Sequence, residues 1–261
     1  MSTNNNNSPL DLAFEQGRPA LVTYLTAGDP SPHSSLDMFK ALVEGGADVI
    51  EIGVPFSDPG ADGPAIQRAS ERALSAGGGI ENALQIAKSL PRDVAKILFG
   101  YLNPFFAFGY EELAARCEDA GVHGLLCVDC PPEEEEMFRT ALKSHGVAPI
   151  LLAAPTTPES RIPKIANAGA GFLYYVSMTG VTGAALDLDG VGERVTKVRE
   201  LAKMPVAVGF GIRSEADVRA LAPFADGVVV GSELVRIVEK LGDGAADALV
   251  DKVRELKRGL V

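Results

Sequence analysis

The sequence is poor in the residues that most often build metal and redox sites, and it lacks the segments that direct a chain to a membrane. Its 261 residues include three cysteines and three histidines. No uninterrupted apolar stretch approaches the ~20 residues that a membrane-spanning helix needs. Residues 1–8, MSTNNNNS, lack the basic start and apolar segment of a signal peptide. We therefore expect a globular, cytoplasmic protein with no membrane contact, preceded by a disordered polar tail over residues 1–8.

The few cysteines and histidines are spaced as packing residues rather than as ligands. Cys127 and Cys130 have the CxxC spacing of zinc and redox sites, but Cys127 lies in the apolar run GLLCV and no second CxxC follows. His33, His123 and His145 are scattered along the chain. An odd number of cysteines without an export signal favours reduced thiols. The pattern favours ordinary packing over a zinc or redox role, and we expect no metal.

The chain also has fewer positively charged than negatively charged residues. Lysine and arginine number 24 against 35 acidic residues, which leaves a formal charge of −11. Because phosphate backbones and anionic lipids would be repelled by this mean field, we expect no nucleic-acid or membrane partner. A phosphorylated small molecule is still compatible with the composition, since a local group of backbone N–H groups is enough to bind it.

Apolar runs of strand length recur along the chain with room for a helix between them. They start near residues 21, 48, 97, 124, 149, 171, 205 and 227. The runs lack strict polar alternation, as is typical of parallel strands covered on both faces. Eight such units in 261 residues match the ~250 residues of a (β/α)8 barrel. The sequence therefore predicts an α/β protein, a single TIM-type (β/α)8 barrel over residues 9–261 with a short N-terminal helix.

A doubly wound open sheet is the main alternative. Such a sheet often carries GxGxxG after its first strand, and that motif is missing here. The nearest match, residues 209–214, comes too late and lacks the third glycine. The barrel is favoured, and it predicts that functional residues lie in the loops after the carboxyl ends of the strands.

The last loops of the predicted barrel have the features of a phosphate site. Loops seven and eight, GFG and GS, are short, and each is predicted to open directly into a helix whose N–H groups face an anion. Gly211, Gly231 and Ser232 are the leading candidate ligands, with Gly183 of loop six beside them. The alternative is that these glycines only form tight turns. Glu233, in the first turn of the last of these helices, would compete with an anion unless it points outward.

Three carboxylates follow the second apolar run, in EIGVPFSDPGADGP. Glu51 lies inside the strand, where both faces are dry, so it must be paired, protonated or used in catalysis. Asp62, on a loop rich in proline and glycine, is expected to be better solvated and ionised, which would separate an acid/base group from an electrostatic partner. Asp58 is more consistent with shaping the turn before Pro59. The structural alternative for Glu51 is a buried glutamate bound to a neighbour in the barrel.

Six motifs in order resemble one family. They are TAGDP at 26–30, EIGVPFSDP and ADGPAIQ within 51–67, YLNP at 101–104, GVTGA at 180–184, VGFGI at 208–212 and VGS at 230–232. From about residue 9 to the C-terminus the chain looks like an alpha subunit of tryptophan synthase. The resemblance implies a lyase of tryptophan biosynthesis that cleaves indole-3-glycerol phosphate to indole and glyceraldehyde 3-phosphate by a retro-aldol reaction.

The resemblance also implies roles for individual residues. Glu51 would be the general acid/base, and Asp62 would hold the indole N–H and stabilise the positive charge that develops there. Tyr174 would lie near the substrate, and Tyr24 and Leu102 would help to line the indole pocket, although Tyr24 alone is more consistent with core packing. Another residue, Thr182, would lie on a mobile loop that closes over the site and touches Asp62.

A partner subunit is implied as well. Members of the family work with a PLP-dependent beta subunit in an alpha2-beta2 heterotetramer, and indole passes to it through a tunnel. The segment YLNPFFAFGYEEL from Tyr101 suits the docking surface because its phenylalanines are unusual for a solvated loop, although some of these rings could belong to the core. No cofactor, neither a metal nor PLP, is expected on this chain itself.

Two positions depart from the family pattern. Gly60 stands where a larger apolar residue is usual, and it adds backbone freedom of about 0.5–1 kcal/mol just before Asp62. Glu233 stands where a small residue is common, next to the predicted phosphate. A second hypothesis is therefore a chain that mainly activates the beta subunit and turns over poorly itself.

A third hypothesis is another phosphate-binding barrel, such as an isomerase of histidine biosynthesis. That class needs an acid/base pair of aspartates at the ends of strands one and five. Here strand five ends in Ala153, Ala154 and Pro155, which cannot serve.

Overall fold

Eight parallel strands close into one barrel in chain order, with β8 paired to β1. The computed structural model describes residues 7–176, 188–209 and 211–261. The strands are β1 (Ala20–Thr26), β2 (Val49–Gly53), β3 (Ala95–Gly100), β4 (Gly124–Cys127), β5 (Ala148–Ala153), β6 (Leu173–Val176), β7 (Val206–Gly209) and β8 (Gly227–Val230). The predicted (β/α)8 barrel is confirmed. Since every strand has two partners, the alternative of an open sheet is wrong.

Helices surround the barrel and fill the connections between its strands. In the described part of the chain they are α1 (Pro9–Phe14), α2 (Pro32–Gly45), α3 (Pro64–Ser75), α4 (Ile80–Ser89), α5 (Leu102–Phe108), α6 (Tyr110–Ala120), α7 (Glu136–Ser144), α8 (Ile162–Ala168), α9 (Leu188–Ala202), α10 (Glu215–Leu221), α11 (Ser232–Leu241) and α12 (Ala246–Arg258). Two short 3-10 segments cover Glu159–Arg161 and Gly242–Gly244.

The strands are buried on both faces, which explains their composition. Every residue of β1, β2, β3, β4 and β8 is buried. One set of side chains fills the barrel interior and the other packs against the helices, so polar alternation would leave unpaired polar groups in dry surroundings. The register places Glu51 of β2 between Tyr24 of β1 and Ile97 of β3.

Helix α1 closes the end of the barrel opposite the predicted site. Leu10 is 1% exposed, and its Cδ2 lies 3.2 Å from the position that a Cβ would take on Gly124, the first residue of β4. The Phe14 ring packs on Phe172, just before β6, with centroids 5.0 Å apart. These contacts place α1 over the amino ends of the strands, so the predicted short N-terminal helix contributes to the core.

Two residues of the predicted tail, Asn7 and Ser8, contact the first helix. Ser8, which we assigned to the tail, is the N-cap of α1 and forms a reciprocal capping box with Asp11. The side-chain amide of Asn7 donates to Glu15 at 3.0 Å. Residues 1–6 of the predicted tail lie outside the described residues.

The three cysteines are buried free thiols. Burial raises the pKa of Cys117 to about 12 and also raises the pKa of Cys127. A thiol held in its protonated form is a poor nucleophile and metal ligand, so the packing interpretation is supported. Within the ranges given above, no group of three or more histidine, cysteine or acidic side chains is arranged to hold a metal ion.

A membrane-spanning helix is not found in the described part of the chain, where none of the helices is both long enough and apolar enough to cross a bilayer.

Two leucines of α1 provide a matched test of its role. We expect Leu10→Ala to lower the free energy of unfolding by ~2–4 kcal/mol, because it leaves a cavity under the barrel. Leu12, on the same helix, is 52% exposed, and Leu12→Ala should change it by less than ~0.5 kcal/mol. Urea denaturation of both variants measures the difference. Equal losses would contradict the assignment of α1 as part of the core.

Candidate active site

Among the residues that the structure describes, one glutamate lies inside the barrel near the carboxyl ends of the strands. Glu51 is the third residue of β2 and is 1% exposed. Among the described residues, no group donates a hydrogen bond to its Oε1, so the alternative of a glutamate bound to a barrel neighbour is not supported for that oxygen. Burial, followed by the charge of Asp62, raises the pKa of Glu51 to about 8. The carboxyl group is therefore mainly protonated at neutral pH and can give a proton.

A second carboxyl group reaches the same space from the loop between β2 and α3. Asp62 is half-buried, and burial raises its pKa to about 6, an effect that the Tyr101 hydroxyl opposes by donating a hydrogen bond to Asp62 Oδ2 at 3.1 Å. Asp62 is thus less solvated than we expected, but it is still mainly ionised at neutral pH. The predicted separation of one protonated and one ionised carboxyl group agrees with these pKa values.

Aromatic side chains form a wall beside the two carboxyl groups. The Tyr24 ring packs edge-on against Phe99 at 5.4 Å, and Phe99 lies 6.5 Å from the Tyr174 ring. Burial raises the pKa of both tyrosines, and the charges of Glu51 and Asp62 raise both further. The structure therefore brings four predicted site residues, Glu51, Asp62, Tyr24 and Tyr174, into one neighbourhood.

Space for Tyr24 comes from the absence of a side chain on the next strand. A Cβ built on Gly53 would lie 2.2 Å from Tyr24 Oη, far inside van der Waals contact. The hydroxyl group instead shares a hydrogen bond with Thr26 at 3.1 Å. Any larger residue at position 53 would displace the tyrosine from the site.

Two residues at the end of the third strand also belong to this site and were not predicted as site residues from the sequence. Phe99, near the end of β3, packs with both site tyrosines, and Tyr101 is hydrogen-bonded to Asp62. The signal for Tyr101 was present in the YLNP motif at a strand end. Leu102, which we predicted to line the pocket, is the half-buried first residue of α5, and its N–H donates to Asp129 at 2.7 Å. Phe99 is therefore the ring that meets the tyrosines, and the role of Leu102 stays a prediction.

Loop eight opens directly into a helix, as predicted, and its role in phosphate binding stays a prediction. Helix α11 begins at Ser232 with Gly231 as N-cap, and no side chain caps it within the described ranges. A Cβ on Gly231 would lie 3.2 Å from Tyr24 Cβ. The start of α11 is therefore next to Tyr24 of the aromatic wall, and the N–H groups of its first turn have no partner within the helix.

Loop seven differs from the prediction. Helix α10 begins only at Glu215, and the carboxylate of Asp217 accepts hydrogen bonds from the N–H groups of Arg213 and Ser214, each at 2.9 Å. The expectation that loop seven opens directly into an anion-binding helix is wrong, because its own aspartate occupies that end. The capping box Ser-x-x-Asp could have been read from the sequence. Gly211 precedes this cap and has a φ of 66°; its role as a ligand stays a prediction.

Glu233, in the first turn of α11, forms an ion pair within its own helix. Its carboxylate pairs with Arg236 at 3.3 Å. With Ile237 it lines a surface groove against α12. The acidic side chain is thus directed to the helix layer and does not compete with an anion at the mouth. Two further predicted site residues, Thr182 and Gly183, lie outside the described residues.

The turn before Asp62 is built from the main chain. The carbonyl of Asp58 accepts the N–H of Gly60 at 2.8 Å, while the exposed Asp58 side chain accepts the Ser57 hydroxyl at 2.5 Å. Asp58 therefore shapes a turn, as predicted, but through its backbone oxygen. A Cβ on Gly60 would have no neighbour within 4 Å, so steric crowding does not require glycine there.

Comparison with known proteins agrees with this geometry. A family model described as tryptophan synthase alpha chain matches residues 10–260. The chain belongs to the tryptophan synthase alpha chain family. The tryptophan synthase alpha chain of Chromobacterium violaceum is 48% identical over 249 residues, 94% of this chain and 95% of that protein. That of Dechloromonas aromatica is 47% identical over 262 residues, 97% and 98% of the two chains.

Solved structures give the same result for the fold. The crystal structure of tryptophan synthase subunit alpha from Legionella pneumophila matches with a TM-score of 0.90 at 34% identity, covering 97% of this chain and 98% of that one. The alpha reaction of the family is the lyase cleavage of indole-3-glycerol phosphate in tryptophan biosynthesis, and family members pair with a beta subunit. The isomerase hypothesis is therefore set aside.

The burial of Glu51 in this alpha chain predicts a pH-dependent cost in stability. Its pKa is about 8 when folded against an ordinary 4.5, so the folded state holds a proton that the unfolded state releases, and stability falls as pH rises from 4.5 to 8. The cost is at most on the order of 5 kcal/mol. We expect Glu51→Gln to be more stable than the wild type by a margin that grows across this range, measured by urea denaturation at pH 5 and pH 8. A margin that does not change with pH would contradict the raised pKa.

Proposed function

We propose that this chain cleaves indole-3-glycerol phosphate by a retro-aldol reaction that uses Glu51 as general acid/base and Asp62 as electrostatic partner. The observation that carries the assignment is the pair itself. A fully buried carboxyl group with a pKa of about 8 lies beside an aromatic wall, with a second carboxyl group whose pKa is about 6 close enough to raise the first. This is the arrangement that acid/base chemistry near neutral pH requires.

The reaction follows from these two protonation states. Protonated Glu51 gives its proton to the indole ring carbon that carries the glycerol chain, and ionised Asp62 accepts a hydrogen bond from the indole N–H as positive charge develops there. The Glu51 carboxylate then takes the proton of the glycerol hydroxyl group next to the ring. The carbon–carbon bond breaks, its electrons return to the ring, and indole and glyceraldehyde 3-phosphate leave with Glu51 protonated again.

The aromatic wall and the start of α11 would bind the two ends of the substrate. Tyr24 and Tyr174 provide flat apolar surfaces for the indole ring. At the other end, the N–H groups of Gly231 and Ser232 would bind the phosphate with the help of the α11 dipole. The contact between Gly231 and Tyr24 supports this arrangement, because it brings the two subsites to one mouth. Gly211 belongs to the same proposal.

Loop six would complete the site. Gly183 is assigned to the phosphate, and Thr182 to closure over the substrate with contact to Asp62, as the family resemblance implies. Closure would expel water and strengthen the interaction between Asp62 and the indole nitrogen.

The partner in this proposal is a PLP-dependent beta subunit, in an alpha2-beta2 heterotetramer. In the predicted docking segment, Phe105 is fully buried whereas Phe106 is 65% exposed. The exposed ring packs edge-on against Tyr110 at 5.8 Å, and Tyr110 stacks on Phe138 at 4.7 Å. Met137, beside Phe138, is 73% exposed. An apolar surface that continues into packed rings is well suited to a permanent partner.

A chain that only activates its partner is the weaker candidate. That hypothesis depends on a slack loop at Gly60. The turn nevertheless has its own hydrogen bonds, from the Gly60 N–H to Asp58 and from the Asp62 N–H to Pro59 at 3.0 Å.

The proposal also includes a cytoplasmic location, which agrees with three free thiols.

The acid/base assignment predicts both rate and pH dependence. We expect Glu51→Gln to fold and to lose at least ~100-fold in kcat, since general acid–base catalysis contributes about 10²–10⁴. For the wild type, kcat/KM should rise as Asp62 ionises around pH 6 and fall as Glu51 loses its proton around pH 8. Indole release measured from pH 5 to 10 checks both. A variant that keeps more than a tenth of kcat, a barrier change under ~1.4 kcal/mol, would rule out the assignment.

The docking surface predicts a selective loss of partner binding. We expect Phe106→Ser to raise the Kd for a beta subunit at least ~10-fold, as for an aromatic anchor at an interface. Leu12→Ser is the matched control, because Leu12 is similarly exposed but lies on α1 at the opposite end of the barrel. Isothermal titration of each variant against a purified beta subunit measures the effect. An equal Kd for both variants would place the interface elsewhere.

A further inference from the structure

The segment that carries Asp62 is held by the first turn of the helix that follows it. Gln67 is the fourth residue of α3, and its side-chain amide Nε2 donates to the carbonyl of Asp62 at 3.0 Å and to that of Pro59 at 3.4 Å. The side chain therefore reaches back across the helix start and joins the two ends of the turn that contains Gly60. Gly60 has no side chain to restrict the turn. The two bonds from Gln67 restrict it in addition to the main-chain bonds made by the N–H groups of Gly60 and Asp62.

The same segment is held from the opposite side by the third strand. Tyr101 follows β3 directly and is 5% exposed. Its hydroxyl oxygen accepts the N–H of Ala61 at 3.0 Å and donates its proton to Asp62 Oδ2 at 3.1 Å. The ring packs against Phe56 with centroids 5.3 Å apart. A buried ring with few rotamers is a rigid support for a loop.

We propose that Gln67 and Tyr101 form a clamp that positions Asp62 for the indole nitrogen. Gln67 sets the main chain of the turn, and Tyr101 sets the direction of the carboxylate. Both are positioning residues. Neither donates to the reacting carbon, and the inference rests on the proposed role of Asp62.

The two halves of the clamp act differently on the carboxylate. The Tyr101 hydroxyl group binds Oδ2 and stabilises the ionised form, so the substrate N–H is expected to bind Oδ1. Gln67 binds the main-chain carbonyls of Asp62 and Pro59 and makes no bond to the Asp62 carboxylate, so it leaves the charge of the carboxylate unaffected. The other titratable groups that face Asp62 in the described residues are Glu51, Tyr24 and Tyr174. Asp129, after β4, faces Tyr101.

Two near-isosteric variants separate these effects. Tyr101→Phe removes one hydroxyl group, and Gln67→Met removes the amide while keeping the length of the side chain. We expect each to lower kcat for indole release about 5- to 50-fold with a smaller change in KM, because a misplaced group costs mainly the transition state. Only Tyr101→Phe should also move the acid limb of the kcat/KM profile to higher pH, by about one unit.

A direct measurement of Asp62 makes the test independent of turnover. The carboxyl 13C resonance of Asp62 is titrated by NMR in the inactive Glu51→Gln chain, with and without each clamp change. We expect a higher Asp62 pKa with Tyr101→Phe and an unchanged one with Gln67→Met. Tyr175→Phe on the outer face of β6 and Gln85→Met on α4 are controls for hydroxyl and amide removal, and neither should change the rate or the Asp62 pKa. The spectra also report whether each variant is folded.

The outcomes distinguish the clamp from the function on which it rests. An unchanged Asp62 pKa in Tyr101→Phe, or an unchanged kcat in Gln67→Met, overturns the clamp. If Asp62→Asn keeps full lyase activity, the proposed role of Asp62 fails, and the clamp then has no catalytic group to position. A raised pKa, lowered kcat in both variants and an inactive Asp62→Asn together support the inference.

Discussion

The burial of one carboxyl group is the constraint on which the site depends. Glu51 is part of a strand, so its position is set by the pairing of β2 with both neighbours and cannot relax toward water. The charged form is disfavoured, and the rest of the core must supply the stability that this burial costs. Gly53 makes room on the same strand for Tyr24, so the aromatic wall and the buried acid are built by the same register. Moving β2 by one residue would send Glu51 to the helix layer.

The second carboxyl group differs because it is on a loop. Asp62 is only half-buried and receives a hydrogen bond, so it ionises about two pH units below Glu51. At neutral pH the acid on the strand is therefore mainly protonated and the acid on the loop is mainly ionised, so the site holds both protonation states side by side. The loop itself is ordered by contacts from β3 and α3, which is how a segment containing glycine can present a group accurately.

The two helix starts at the mouth illustrate how similar sequences lead to different sites. The loops GFG and GS look alike, yet Asp217 occupies the start of α10 whereas Glu233 pairs along α11 with Arg236. The difference is the position of the acid. At the third helical residue a carboxylate folds back on its own N-cap, whereas Glu233, at the second, lies beside Arg236 three residues on. Of these two helix starts, only that of α11 has no side chain capping it among the residues that the structure describes.

The sequence by itself determined the eight strands, the closure into a barrel and the family, because these depend on local apolar runs and on motifs read along the chain. The same motifs led to the proposal of Glu51 and Asp62 as the catalytic pair. The tertiary structure decided which β3 ring meets Tyr24 and Tyr174, which atom of Asp58 makes the turn, and which polar groups hold Asp62. Those depend on contacts between residues tens of positions apart, such as Tyr101 and Asp62. The pKa values are also decided there, because the same glutamate has an ordinary pKa in water and one near 8 only when the barrel closes around it.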